Sequence, residues 1–150
     1  MDVDEKWMQI AIDEAIKAKF ENEIPVGAIL IKNGEIIAQA HNQPILKNDP
    51  TAHAEIQVLR IAGKKLKNYR LNTSTLYVTL EPCSMCLSAM MHARIERIVF
   101  GAYDSKTGVC GSCVNLTDAD FFNHKIQAHG GVLETKCSKL LKDFFKLQRQ

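Results

Sequence analysis

The sequence predicts an α/β fold, a mixed sheet covered by helices on both faces. Three observations carry this. Segments of strand chemistry alternate with segments of helical apolar spacing, the pattern of a sheet flanked by helices. An Asn33-Gly34 dipeptide joins the first two strands as a tight hairpin, so the sheet is mixed rather than wholly parallel. The 150 residues, 46% hydrophobic and 24% charged, suit one globular domain over 1–150.

The elements follow in order. Trp7, Ile10, Ala11, Ala15, Ile16 and Phe20 recur at helical spacing, with Asp2 or Asp4 as cap, Trp7 in the core and Pro25 ending the helix. Val26 to Ile31 reads as a buried strand and Glu35 to Ala40 as its hairpin partner. Gln43 to Thr51, polar and holding Pro44 and Pro50, reads as a loop. A second helix runs from Thr51 or Ala52 to about Leu66. Thr75 to Leu80 is a β-branched, apolar strand. Pro82 suits the first turn of a third helix, from about Cys83 to Ala93. Ile95 to Ala102 contains a fourth strand and Lys125 to Leu133 a short fifth. Between them lies a long loop, Asp104 to Asp120, of a length more often functional than idle. Glu134 to Gln148 closes the chain as an amphipathic helix.

A domain of this size buries roughly 68–70% of its unfolded surface and needs no disulfide to hold its core. The five cysteines are odd in number, and four of them form two C-x-x-C pairs. In a reducing compartment that usage points to a metal or to catalysis. No segment approaches the roughly 18 apolar residues of a membrane span. Met1 to Lys6 carry three acids and no apolar core, which argues against a secretory leader. The expectation is a cytoplasmic protein with no membrane partner. A formal charge of +2 does not by itself argue for nucleic acid, so any basic footprint must be local.

The chemistry sits in His53-Ala54-Glu55 and Pro82-Cys83-Ser84-Met85-Cys86. Zinc takes imidazole nitrogen and thiolate sulfur in tetrahedral geometry, and a catalytic zinc keeps one position open for water. His53, Cys83 and Cys86 supply three ligands. Cys83 and Cys86, three residues apart at a helix start, can aim both sulfurs at one point, where the helix dipole and the cation favour thiolates. A water at such a site loses a proton near neutral pH. Glu55, two residues after His53, falls outside the metal shell but near that water, where it can accept and return protons. A closed four-cysteine site built from Cys83, Cys86, Cys110 and Cys113 is the competing arrangement. It leaves His53 and Glu55 without a task. Otherwise Cys110 and Cys113 are two reduced loop side chains. Glu81, where a strand gives way to a helix, reads as structural rather than as a second acid.

Lys64, Lys65, Lys67 and Arg70 cluster at the end of the second helix, where lysines also satisfy the helix dipole. Lys136, Lys139, Lys142, Lys146 and Arg149 stud the last helix against only Glu134 and Asp143. Either cluster is a solvated face or an RNA footprint. Phe144 and Phe145 are adjacent and cannot face the same core, so one is open either to stacking on a base or to a subunit contact.

The H-x-E and P-C-x-x-C motifs in this order are the signature of zinc nucleobase deaminases. The chain resembles more specifically the bacterial tRNA-specific adenosine deaminases of the cytidine deaminase-like superfamily. The resemblance runs through Ile24-Pro25-Val26-Gly27-Ala28, His41-Asn42-Gln43-Pro44 and Asp49-Pro50-Thr51-Ala52-His53-Ala54-Glu55-Ile56. It continues in Tyr69-Arg70-Leu71, Thr75 to Cys83 and Val99-Phe100-Gly101-Ala102 with Asp104, Lys106, Thr107 and Gly108. It closes on Asp143-Phe144-Phe145 and Arg149, so it spans essentially the whole chain. Cys110, Cys113 and Tyr103 depart from the family pattern. The resemblance implies a three-layer α/β/α sandwich with a central mixed five-stranded sheet, a homodimer and one Zn²⁺ per subunit. It implies hydrolytic deamination of adenosine to inosine at the wobble position of a tRNA anticodon, with Glu55 protonating the ring and the leaving amine. It further implies substrate contacts from Asn42, Ala54, Asp104, Lys106, Phe145 and Arg149 to the anticodon stem-loop. Read without it, Asn42 is a residue that ends a strand and forms a turn. Two other functions share the zinc motif: deamination of a free base or nucleotide, and a noncatalytic zinc-stabilised RNA-binding protein.

Overall fold

The structure, a computed structural model, describes residues 2–149. Residues 1 and 150, which close the expected domain, lie outside the described residues. Strand β1 (Gly27–Lys32) is paired antiparallel with β2 (Glu35–His41) on one side and with β3 (Ser74–Leu80) on the other. Strands β4 (Arg97–Ala102) and β5 (Gln127–His129) then add in parallel, giving the order β2-β1-β3-β4-β5. The mixed five-stranded sheet is thus present. At the hairpin Asn33 and Gly34 both take positive φ, 53° and 74°, the backbone that lets a two-residue turn follow the strand twist.

Helices cover both faces. On one lie α3 (Ala54–Leu66) and α4 (Ser84–His92), over a core that includes Leu30, Val58, Leu76, Leu87, Met90, Ile98 and Phe100. On the other lie α1 (Val3–Phe20) and α5 (Glu134–Gln148), over Met8, Ile12, Ile29, Tyr77, Val99 and Cys137. Asp2 caps α1 by accepting from the Glu5 amide at 2.8 Å. Asp4 pairs with Arg97 and accepts from the Tyr77 hydroxyl, tying the start of α1 to β3 and β4.

Several local expectations are corrected. Helix α1 stops at Phe20, because Asn22 turns left-handed (φ 61°), not at Pro25. Phe20 is 82% exposed, and Trp7 is only partly buried, with the Lys6 ammonium 4.7 Å above its ring. The loop after β2 contains a helical turn, α2 (Pro44–Lys47). Its Ile45 and Leu46 amides donate to the buried carboxylate of Glu23, a cap 22 residues or more back along the chain. Helix α3 begins at Ala54, later than the expected start at Thr51 or Ala52, and Pro82 lies before α4 rather than in its first turn. Among the described residues, no helix is long and apolar enough to cross a membrane.

Candidate active site

Two helices begin at the same place. His53 is the residue before α3 and Cys83 the residue before α4; both are extended, and neither side chain caps its helix. That frees the imidazole and the thiol to point elsewhere, and both helix dipoles turn their positive ends toward the point where they meet. Cys86, one turn into α4 and fully buried, completes the group. Among the described residues, His53, Cys83 and Cys86 form the one cluster of three metal-ligating side chains, their donor atoms within 4.8 Å of one another.

The dimensions fit zinc. Tetrahedral Zn–S and Zn–N bonds set a sulfur-to-nitrogen edge of about 3.6 Å. The Cys83 and Cys86 sulfurs stand 3.7 and 3.5 Å from His53 Nδ1. Three donors fill three corners of a tetrahedron and leave the fourth to a small molecule. Cys110 and Cys113 take no part. Cys110 is buried, while Cys113 is exposed and donates its S–H to the Ser105 carbonyl, so the four-cysteine arrangement is not formed.

The protons are arranged to match. A hydrogen bond from Cys86 pulls the Cys83 thiol down to about 4, with His53 assisting. The Cys86 thiol is pushed up, first by that same contact with Cys83 and then by burial. The bond to Cys83 raises His53. These three side chains would hold a dication in place of the Cys86 proton and of the proton that His53 and Cys83 share. Glu55, in the first turn of α3, is 4% exposed, and burial pushes its carboxyl up to about 7. A carboxyl poised near neutrality can both take and return a proton.

A cavity of about 120 Å³ opens on this group. Its walls include Asn42, His53, Glu55, Cys83, Asp104 and Thr107, with Ile24, Val26 and Leu80 as apolar surface. Asn42 serves both readings given above: its amide N–H donates to the Val26 carbonyl at 3.0 Å, and its side chain lines the cavity. Asp104 is in the wall, but its carboxylate is occupied, accepting from the Lys106 and Thr107 amides and the Thr107 hydroxyl. Ala54, expected to touch the substrate, is instead fully buried in the core and is not among the cavity walls. Lys106, Phe145 and Arg149 are exposed and are not among the cavity walls. Phe144 is buried at 6% and Phe145 is 41% exposed, resolving which of the pair faces out. A larger groove of about 900 Å³ lies elsewhere, between α3 and α4, and contains none of the metal-ligating donors. Thr107 and Leu80 line the cavity though motif spacing alone did not single them out, and the buried Glu81, read above as structural, lies beside them.

Residues 1–102 match the cytidine and deoxycytidylate deaminase zinc-binding region. Fold and donor set together thus define a zinc-binding deaminase. The chain is 49% identical over 148 residues to the tRNA-specific adenosine deaminase of Haemophilus influenzae, covering 98% of this chain and 86% of the relative. It is 47% identical over 150 residues to that of Bacillus subtilis, covering 100% and 93%. A solved structure from work on A-to-I editing by tRNA:A34 deaminases at the wobble position superposes with a TM-score of 0.88 and 40% identity, over 91% of this chain and 99% of the other. The chain belongs to the tRNA-specific adenosine deaminase family.

Proposed function

We propose that residues 1–150 work as one deaminase domain that converts adenosine to inosine at the wobble position of a tRNA anticodon. The observation that carries this is the convergence of His53, Cys83 and Cys86 beside a buried Glu55, in a chain with full-length tRNA deaminase relatives. The three side chains would hold one zinc ion per subunit. Bound there, zinc supplies Lewis acidity that makes a water nucleophilic near neutral pH.

The remaining work falls to the chain. Water adds at C6 of the adenine ring and the exocyclic amine departs as ammonia, leaving inosine. Glu55 takes one proton from the water and delivers it to ring N1; it then takes the second, from the new C6 hydroxyl, and delivers it to the leaving amine as the C6 carbonyl forms. Its burial suits it to this, since a carboxyl held near 7 carries the proton without parting with it permanently. Asn42 hydrogen-bonds the flipped base from the opposite wall, and Ile24, Val26 and Leu80 exclude water around it. Beyond the cavity, Asp104 and Lys106 meet the neighbouring anticodon nucleotides, Phe145 stacks on a base, and Arg149 binds phosphate, in an RNA loop presented as single strand.

A homodimer fits the groove between α3 and α4, where Leu59, Met85 and Ala89 offer apolar surface. A cytoplasmic location follows from the tRNA substrate. The deciding experiment offers anticodon stem-loop RNA, total tRNA, free adenosine, guanine and cytosine to the zinc-loaded protein. Inosine at the first anticodon position, with free bases untouched, is expected; ammonia from free bases and none from RNA would reverse the assignment. Light scattering reads the subunit count, and a monomer at micromolar concentration removes the dimer.

A further inference from the structure

Glu81 is 2% exposed, sits directly before the Pro82-Cys83 metal-ligand segment, and has no task in the chemistry above. Its carboxylate is nevertheless saturated. Oε1 accepts from the Asp104 amide at 3.0 Å and from the Ser112 hydroxyl. Oε2 accepts from the Cys110 amide at 3.0 Å and the Ser112 amide at 3.1 Å. All four donors belong to the long loop after β4. A buried carboxylate is tolerated only when hydrogen-bonded, and bonds to a charged acceptor are the strong kind. The main chain repeats the seam: the Glu81 amide donates to the Ala102 carbonyl at 2.8 Å, and the Val109 amide to the Pro82 carbonyl at 3.1 Å. The loop also leaves room for the carboxylate. A Cβ on Gly108 would stand 2.3 Å from the Glu81 carboxyl carbon and 2.6 Å from the Asp104 carbonyl oxygen.

The loop segment fastened this way includes the cavity wall. Residues 104–107 form a turn braced by the Asp104 carboxylate, and that turn hangs on Glu81 through the Asp104 amide. The ligand side of the cavity is held by the starts of α3 and α4, and its link to the loop is the main-chain bond at Pro82, which needs no Glu81 side chain. We propose that Glu81 is a positioning residue whose carboxylate fixes the Asp104–Ser112 loop as one wall of the substrate cavity, acting on engagement of the RNA rather than on the chemical step. This rests on the proposed deaminase reading for its kinetic arm only.

Glu81→Gln keeps the shape but places an amide N–H₂ against loop donors. Gly108→Ala attacks the same contact from the other side, with the carboxylate intact. Hydrogen exchange at the Asp104, Cys110 and Ser112 amides, zinc content, and kinetics on an anticodon stem-loop RNA are measured for each variant and the double. Exchange at those amides accelerates at least about tenfold and KM rises about tenfold, the scale of one hydrogen bond to a charged group, with kcat within about threefold and zinc retained. Because both changes break one contact, the double variant is no worse than the more impaired single. Unchanged exchange in both singles, additive KM effects, or a fall in kcat at constant KM overturns the proposal. If Glu81→Gln fails to fold, Ser112→Ala, which removes one side-chain donor, is read in the same way. A wild-type chain that leaves the RNA unconverted refutes the deaminase reading instead, and the exchange measurements then decide the clamp alone.

Discussion

Replacing Glu55 by glutamine separates the chemistry from the architecture around it. The side chain is 4% exposed, and glutamine fills the same volume, so packing in the first turn of α3 is retained. The three metal-ligating atoms are untouched, and zinc content should match the wild type. What disappears is a group able to carry a proton. General acid–base catalysis is worth roughly 10²–10⁴-fold, or about 3–5 kcal/mol of barrier, and kcat should fall by at least that much. Stability should move the other way. Burial lifts the carboxyl from 4.5 to about 7, so in the zinc-stripped protein an ionised Glu55 costs about 3 kcal/mol. The cost is absent below pH 4.5, where the group is protonated in folded and unfolded chains alike. It grows as pH rises toward 7, because the unfolded chain ionises first, and it is complete above 7. Glu55→Gln removes it, so at pH 8 the stripped variant should melt roughly 6–12 °C above the stripped wild type. Inosine formation under single-turnover conditions, metal analysis and thermal melts from pH 4 to 8 check each part. A glutamine variant with the normal rate, or one that has lost its zinc, refutes the reasoning.

Other outcomes follow from the same geometry. Cys83→Ser or His53→Ala should abolish zinc retention, while the paired change of Cys110 and Cys113 to serine should keep it; metal analysis after desalting reads both, and loss of metal in the loop pair would restore the four-cysteine site. Acid should weaken the fold: the Arg97 hydrogen bond holds Asp4 below the usual carboxylate range, and in Glu14 bonds from Lys17, His41 and Gln39 outweigh the opposing effect of burial. Both contributions are present above the unfolded carboxylate range and are lost as pH falls through the lower folded values, so Asp4→Asn should flatten the melting-temperature profile between pH 5 and 3. Phe145→Ala should weaken stem-loop binding by about 1–3 kcal/mol, the scale of one stacked base, with little change in melting temperature. Phe144→Ala, at a buried position, should instead cost about 3–5 kcal/mol of stability. Lost dimerisation with unchanged RNA affinity in the first variant would remove the stacking role.

The features legible in the sequence are those whose causes are local. Asp2 caps α1 by accepting from an amide only three residues on, Asn33-Gly34 carries its own turn geometry, and α5 spans Glu134–Gln148 as its amphipathic spacing indicates. The zinc donors were legible for a different reason. Cys83 and Cys86 share a helix start by spacing, and His53 joined them because H-x-E followed by P-C-x-x-C is a known combined motif. Helix α2 was invisible because its cap, Glu23, lies across the hairpin from it. The start of α3 was misplaced because Thr51 and Ala52 fit the pattern, whereas Thr51 is held in a turn by Asp49. Glu81 was legible as structural, but what it holds was not: its donors lie 23 to 31 residues downstream, in a loop with no periodicity to reveal where it folds back.

Neither His53 nor Cys83 hydrogen-bonds the opening amides of the helix it precedes. A serine or aspartate in either position would ordinarily stabilise that first turn by about 1 kcal/mol. The protein has given up two such stitches at one point, and a single cation would replace both. Chelation should therefore unravel the beginnings of two helices together, so amide exchange in their first turns is expected to quicken in step as metal is withdrawn and to slow in step when it is restored.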